Sequence, residues 1–231
     1  MMSDRPKQYL PLMNQRVLDF TLHALCASDS LDGVIVGIRQ GDRWWQAQPF
    51  EHPKLIAVSQ GGEQRVHTVL NALQQLLQDK FAVADDWVMV HDAVRPCVTL
   101  LDIERLVAAA NSSGTGAILT LRLVDTLKQI DDQGFIEKTL GRDLYWRALT
   151  PQIFRCEQLR VALQHALDQG FVPTDESSAM EMMGIKPVPV ESHPANIKIT
   201  VAADLELASL YLTHTVARII HEGSGLAGSD N

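Results

Sequence analysis

Cysteine is scarce in this chain of 231 residues: Cys26, Cys97 and Cys156 stand far apart. No CxxC spacing is present, which removes the usual zinc frameworks, and an odd, sparse count fits a reducing compartment, the cytoplasm. No apolar run reaches the roughly 18–20 residues that span a bilayer. The opening "MMSDRPKQYL" is too polar for a secretory signal. A basic excess is also lacking, since the formal net charge is -8. Surfaces that track nucleic-acid phosphates usually carry a cationic surplus, so a nucleic-acid partner is not expected. An anionic small molecule stays open, because a few local cations suffice for one phosphate. The Ser-His-Asp order, HExxH and the Walker loop are all absent, which removes the commonest hydrolase and P-loop readings.

What is present is a core-forming chain with 46% hydrophobic residues, enough for one large domain over 1–231. Arg16 to Ala27 carries a helical stripe of Val17, Leu18, Leu22 and Leu25. "VIVGI" (34–38), "KLIAV" (54–58), "DWVMVHD" (86–92) and "GAILTLRL" (116–123) read as strands. Between them, "GGEQRVHTVLNALQQLL" and a segment capped by Thr99 read as helices. This alternation predicts an α/β fold with a mainly parallel sheet and helices on both faces. Residues 125–146 break the rhythm with two short runs around Asp131-Asp132-Gln133-Gly134, the signal of a projecting β-hairpin arm. Such an arm needs a partner to lean on, and a second subunit is the common one. Further on, the pattern predicts a helix from Cys156 to Asp168 and a capped helix from Thr174. Strand-like "KPVPV" and "NIKIT", a final helix and a frayed tail over 222–231 follow.

In open α/β sheets, ligands bind beyond the carboxyl ends of the strands. After "AVSQ" come Gly61, Gly62 and Glu63. Paired glycines leading into a helix let a backbone approach a ligand, and they equally serve an ordinary strand-to-helix turn. After "WVMV" come His91, Asp92, Ala93 and Arg95. Asp92 beside small Ala93 can hold a metal or a sugar hydroxyl; alternatively Arg95 pairs with it and fixes the loop. His91 reads as a hydrogen-bonded structural histidine. Lys198 alternates with Ile197 and Ile199, so it faces away from the buried side chains, as a solvated lysine also would. Thr126, Lys128 and Arg142 are polar arm residues, and Thr174-Asp175-Glu176 suits a helix cap.

Seven stretches together resemble one family. They are "PKQYL" (6–10), "GGEQRVHTV" (61–69), "VHDAVRPC" (90–97), "VDTLK" (124–128), "ALTPQIF" (148–154), "TDESSAME" (174–181) and "NIKIT" (196–200). Their order and spacing are similar to those of the 2-C-methyl-D-erythritol 4-phosphate cytidylyltransferases, and "HDAVRP" with "TDESSA" and "NIKIT" is highly specific. The resemblance implies a Rossmann-like nucleotidyltransferase domain that forms a homodimer through its arm. It implies cytidylyl transfer from CTP to 2-C-methyl-D-erythritol 4-phosphate with release of pyrophosphate, in the non-mevalonate route to isoprenoids. Gly62, Glu63 and Thr68 resemble the cytosine pocket. Asp92 and Ala93 would lie beside the ribose and the acceptor, with Arg95 and Thr174 also on the substrate. Lys7 resembles the lysine on the triphosphate and Lys198 the one near the reacting phosphate, which makes them the catalytic cations. Thr126 and Arg142 would reach the acceptor of the neighbouring subunit. Mg²⁺ is expected, held mainly by nucleotide phosphates rather than by protein ligands. Alternatives are the same chemistry on another polyol phosphate such as ribitol 5-phosphate, or a non-catalytic dimeric relative.

In that family "PKQY" follows a first strand, a Gly-rich loop and a basic residue, whereas six residues precede Lys7 here. The resemblance therefore implies a sheet without its central first strand, and a sequence as written that opens inside the site.

Overall fold

The computed structural model describes residues 5–224, with side chains as far as His214. A 3-10 turn, Lys7–Tyr9, leads into a minimal hairpin of β1 (Pro11–Leu12) and β2 (Gln15–Arg16), which feeds α1 (Val17–Cys26). Asp19 in the first turn of α1 accepts from the Arg16 backbone N–H at 3.0 Å and from its guanidinium at 2.6 and 2.9 Å. That contact caps the helix and pairs two buried charges. Next come β3 (Val34–Ile38), the short α2 (Arg43–Ala47), β4 (Leu55–Gln60) and α3 (Arg65–Gln78). They are followed by β5 (Trp87–Val90), α4 (Leu100–Ser113) and β6 (Ala117–Arg122). The arm is β7 (Leu127–Ile130) and β8 (Ile136–Leu140). The chain then forms β9 (Trp146–Arg155), α5 (Cys156–Asp168), α6 (Glu176–Met182), β10 (Val188–Glu191) and α7 (Ala202–Ser224).

Four strands form a sheet in the order β10-β6-β9-β5. β10 runs parallel to β6, and β9 runs antiparallel to both β6 and β5. Three strands therefore point one way and β9 alone is reversed. β3 and β4 form a separate parallel pair. The period-two alternation of β6 divides the core. Ile118 faces α3, α5 and α6 in a cluster with Leu70, Leu73, Phe154, Leu159 and Met180. Ala117, Leu119 and Leu121 face Leu106 and Ala110 of α4. Each such fully buried large side chain contributes roughly 1.5–3 kcal/mol.

The two sheet pieces are held under common helices. Val66, Leu70 and Leu73 of α3 share one buried cluster with Val88 of β5 and Phe154 of β9, while α3 also packs on β3 and β4. On the other face α1 packs on β3, and its Thr21 hydroxyl reaches the Ala93 carbonyl beyond β5 at 3.0 Å. Among the described residues, β3 pairs only with β4 and β5 only with β9.

Three local expectations are corrected. "NIKIT" is not a strand: Ile197–Thr200 has no regular secondary structure, and its one backbone bond to another segment is Ile199 N–H to the Val94 carbonyl at 2.9 Å. Its partner is a loop, so no ladder propagates. The helix expected from Thr174 begins at Glu176, because Asp175 is its cap and its carboxylate accepts from Ser178 N–H at 3.0 Å. The expected tail is helical through Ser224, and its remainder, 225–231, lies outside the described residues. The minimal β1–β2 hairpin, α2 and β9 were not anticipated. Asp42 nucleates α2 by accepting from Trp44 N–H at 2.9 Å and Trp45 N–H at 3.2 Å. No helix among the described residues is long and apolar enough to cross a membrane.

Candidate active site

β5 ends at Val90, and the next residues turn back on themselves through the Arg95 N–H to the Asp92 carbonyl at 3.1 Å. His91 is wedged behind this turn. Its Nε2 lies 3.1 Å from the Arg95 carbonyl and its Nδ1 lies 3.0 Å from Thr150 Oγ1. A carbonyl only accepts, so Nε2 carries the proton and Nδ1 accepts from the hydroxyl. Burial holds this neutral imidazole's pKa down to about 4. Thr150 Oγ1 in turn accepts from the Asp92 N–H at 3.0 Å, which aims the aspartate outward. His91 is thus structural, as the sequence suggested.

Asp92 is the centre of a cationic ring. Arg65 Nε lies 3.0 Å from Oδ1, Lys198 Nζ 2.9 Å from Oδ2, and Arg95 Nε 3.5 Å from Oδ2. Its side chain is only 10% exposed. Burial alone would raise its pKa, but Arg65, Lys198 and Arg95 outweigh that and hold it at about 2. Arg95 also donates to the Asn196 carbonyl at 2.9 Å, so it ties the loop to the segment that carries Lys198. Asn196 continues the tie by donating to the Thr150 carbonyl at 2.9 Å.

The glycine pair opens α3 beside this ring. Gly61 N–H donates to the Ile38 carbonyl at 2.7 Å, and Gly62 N–H donates to Thr68 Oγ1 at 2.9 Å. A Cβ on Gly62 would sit 2.3 Å from His67 Cβ, so the turn itself excludes a side chain there. Thr68 donates its proton to the Gln64 carbonyl at 3.3 Å. With that proton used, the hydroxyl can offer a ligand only a lone pair, which suits an N–H donor. Glu63 is exposed.

Asp92, Ala93, Arg95 and Lys198 come together, with Gly62 and Thr68 at the start of the helix that supplies Arg65. Lys7 is exposed on its turn and lies within electrostatic reach of Asp204, the residue that accepts from Thr200 and Val201 at the start of α7. Asp204 is bonded to Thr200, two residues beyond Lys198, so Lys7 approaches the segment that carries Lys198 rather than Asp92 itself. Thr174 is exposed just ahead of α6. Thr126 and Arg142 are exposed on the arm, where Arg142 donates to the Val124 carbonyl, and they are not brought to Asp92 of their own chain. Sequence reasoning missed Arg65, Glu176, Thr150 and Asn196. Arg65 binds Glu176 with both terminal nitrogens, at 2.6 and 3.0 Å. Glu176 sits in a first turn where an acid reads as a helix-dipole partner, and nothing local marks it as buried.

No group of three or more His, Cys, Asp or Glu among the described residues could hold a metal ion. Asp92 already faces three cations, which would repel a divalent ion. These residues therefore build no metal cage of their own.

Comparison with known proteins finds relatives over nearly the whole chain. The family described as 2-C-methyl-D-erythritol 4-phosphate cytidylyltransferase matches residues 1–214. A relative of that name from Shewanella halifaxensis is 43% identical over 212 residues, spanning 91% of this chain and 89% of the relative. One from Vibrio parahaemolyticus is 41% identical over 214 residues, spanning 92% and 90%. Among solved structures, the Francisella tularensis 2-C-methyl-D-erythritol 4-phosphate cytidylyltransferase superposes with a TM-score of 0.78 at 38% identity, covering 91% of this chain and 95% of that one. A 4-diphosphocytidyl-2C-methyl-D-erythritol synthase reaches 0.81 at 31% identity, covering 90% and 94%. With the match running through nearly the whole chain, the protein belongs to the 2-C-methyl-D-erythritol 4-phosphate cytidylyltransferase family.

Proposed function

We propose that this chain transfers a cytidylyl group from CTP to 2-C-methyl-D-erythritol 4-phosphate and releases pyrophosphate, a step in non-mevalonate isoprenoid precursor synthesis. The observation that carries this reading is Lys198, whose ammonium is held 2.9 Å from Asp92 yet keeps 45% of its side chain exposed. It is a cation stored at the edge of a site, next to glycines and loops that match the family.

A phosphate oxygen of the acceptor attacks the α-phosphorus of CTP. The new O–P bond forms as the bond to the bridging oxygen of pyrophosphate breaks, and pyrophosphate carries the electron pair away. The acceptor is already an anion, so no base is required. The obstacle is repulsion between anions, and fixed cations offset it. Lys198 would meet the reacting phosphate and Lys7 the triphosphate. Gly62, Glu63 and Thr68 would hold the cytosine, and Asp92 and Ala93 the ribose and acceptor. Arg95 and Thr174 would border the acceptor. Mg²⁺, bound mainly by nucleotide phosphates, would neutralise further charge.

The single nucleotidyltransferase domain would dimerise through 125–146. Val124, Phe135, Ile136 and Leu144 are 75, 67, 64 and 87% exposed on the arm, an apolar surface that a second copy would cover. Thr126 and Arg142 would then serve the partner's site. The free cysteines Cys26, Cys97 and Cys156 are buried, and burial raises each thiol's pKa, which suits a cytoplasmic protein that forms no disulfides. The test is pyrophosphate release from CTP and Mg²⁺ with 2-C-methyl-D-erythritol 4-phosphate or ribitol 5-phosphate. Turnover with the former at least ~10²-fold faster is expected, a difference of ~2.7 kcal/mol. Equal or faster turnover with ribitol 5-phosphate would overturn the acceptor assignment.

A further inference from the structure

Arg65 bridges two carboxylates that come from distant parts of the chain. Its terminal nitrogens grip Glu176 at 2.6 and 3.0 Å, a forked contact, while its Nε lies 3.0 Å from Asp92. The Glu176 side chain is 1% exposed, Asp92 10%, Arg65 37% and Lys198 45%. The guanidinium is planar and pinned on two sides, whereas the lysine is a point charge on a flexible stem. Lys198 is therefore the partner of Asp92 that can leave.

We infer that Arg65, anchored by Glu176, is a positioning residue that keeps Asp92 ionised and in place when Lys198 moves from it to an anionic ligand. The inference rests on the proposed reading of Lys198 as the cation of the reacting phosphate. The charge balance supports it. With Lys198 in place, two carboxylates face three cations: Arg65, Arg95 and Lys198. When Lys198 departs, two carboxylates face two guanidiniums, and nothing buried is left uncompensated. Without Arg65, that departure would leave Asp92 with Arg95 alone, 3.5 Å away, and Glu176 with no cation in contact. An unpaired buried carboxylate protonates or reorients rather than staying charged.

The other charged and titratable groups around the network fit this role. His91, next to Asp92, is buried and neutral, so it supplies no replacement charge. Arg147 lies toward Arg95, and Asp175 lies beside Glu176. Burial pushes the pKa of Glu176 up, and the forked contact with Arg65 opposes that push. Thr150 holds the Asp92 backbone, so the side chain is what Arg65 has to fix.

The test is a carbon-13 NMR titration of aspartate carboxyl groups, with the Asp92 signal assigned by its loss in Asp92→Asn. It reads the network without turnover, so a failure of the proposed activity is distinguishable from a failure here. Lys198→Ala imitates the departed lysine. In that background Asp92 is expected to titrate below the ordinary 3.8 of an aspartate. Adding Arg65→Met with Glu176→Leu, which replaces the buried pair by apolar side chains of similar size, removes the anchor without stranding a charge. Asp92 should then titrate about 1–3 units higher than in Lys198→Ala alone. Restoring Arg65 and Glu176 reverses the shift. Identical titration of Asp92 with and without Arg65 would overturn the inference. If neither the paired replacement nor Arg65→Lys yields a folded protein, Arg65 serves the fold, and the positioning role is rejected.

Discussion

Gly37→Ala is expected to be destabilising, although Gly37 lies in a strand where alanine should be welcome. Its φ is not in the left-handed region, so the substitution by itself should stabilise by about 0.4–1 kcal/mol through the unfolded chain. The obstacle is Thr68. A Cβ at position 37 would lie 2.3 Å from Thr68 Cγ2, far inside van der Waals contact. Thr68 is β-branched and helical, so its methyl cannot turn away without moving the hydroxyl. That hydroxyl accepts from Gly62 N–H at 2.9 Å. Overpacking costs about 1–3 kcal/mol, and escape by rotation forfeits a hydrogen bond of about 1 kcal/mol. The net loss should be about 1–2 kcal/mol. Thr68→Ser removes the methyl and keeps the hydroxyl, so in that background Gly37→Ala should become neutral or slightly stabilising. Urea unfolding of the four proteins gives the coupling energy, expected near 1–2 kcal/mol. Effects that add to within about 0.5 kcal/mol would refute the claim that glycine is present to seat the threonine methyl.

Other outcomes follow from the same structure. His91 is neutral when folded, with a pKa of about 4 against 6.5 when free, so the unfolded chain takes up the proton first and stability falls as pH drops from 6.5 toward 4. Between about pH 7 and pH 5 the wild type should lose roughly 2 kcal/mol more than His91→Gln, and parallel loss in both proteins would contradict this. Lys198→Ala should lower turnover by at least ~10²-fold, or ~2.7 kcal/mol, with little change in melting temperature, because Asp92 keeps Arg65 and Arg95. An equally active variant, or a collapsed one, speaks against a chemical role. Replacing 127–141 by a short turn should convert a dimer to a monomer in sedimentation, and an unchanged dimer would sink the arm proposal. Mixing Arg142→Ala with Lys198→Ala subunits should restore part of the activity if the arm serves the partner's site; no recovery in verified mixed dimers would exclude sharing.

Much of the fold was legible because its signals are local. The stripes of α1, α3, α4 and α5, the Thr99 cap at 3.1 Å from Asp102 N–H, and the turn of the arm each depend on neighbours within a few residues. The loop beyond β5, and with it Asp92 and Ala93, could be picked out for the same reason. β9 could not. Pro151 and Gln152 in "ALTPQIF" argue against a strand, yet β9 lies between β6 and β5. The ladder with β6 shifts register between its Gln152 and Ala148 pairs, so Pro151 sits at an irregularity where no amide is required. Gln152 is buried because Asp175, Ser177 and Leu149 satisfy its side chain. "NIKIT" failed in the opposite sense: its alternation suits a strand, but no strand lies beside it. The ring around Asp92 was likewise beyond local reading, since Arg65 and Glu176 stand 111 residues apart. A sequence pattern reports period and cap, whereas a buried ion pair exists only where the topology brings the start of α3 and the start of α6 together and excludes water from both.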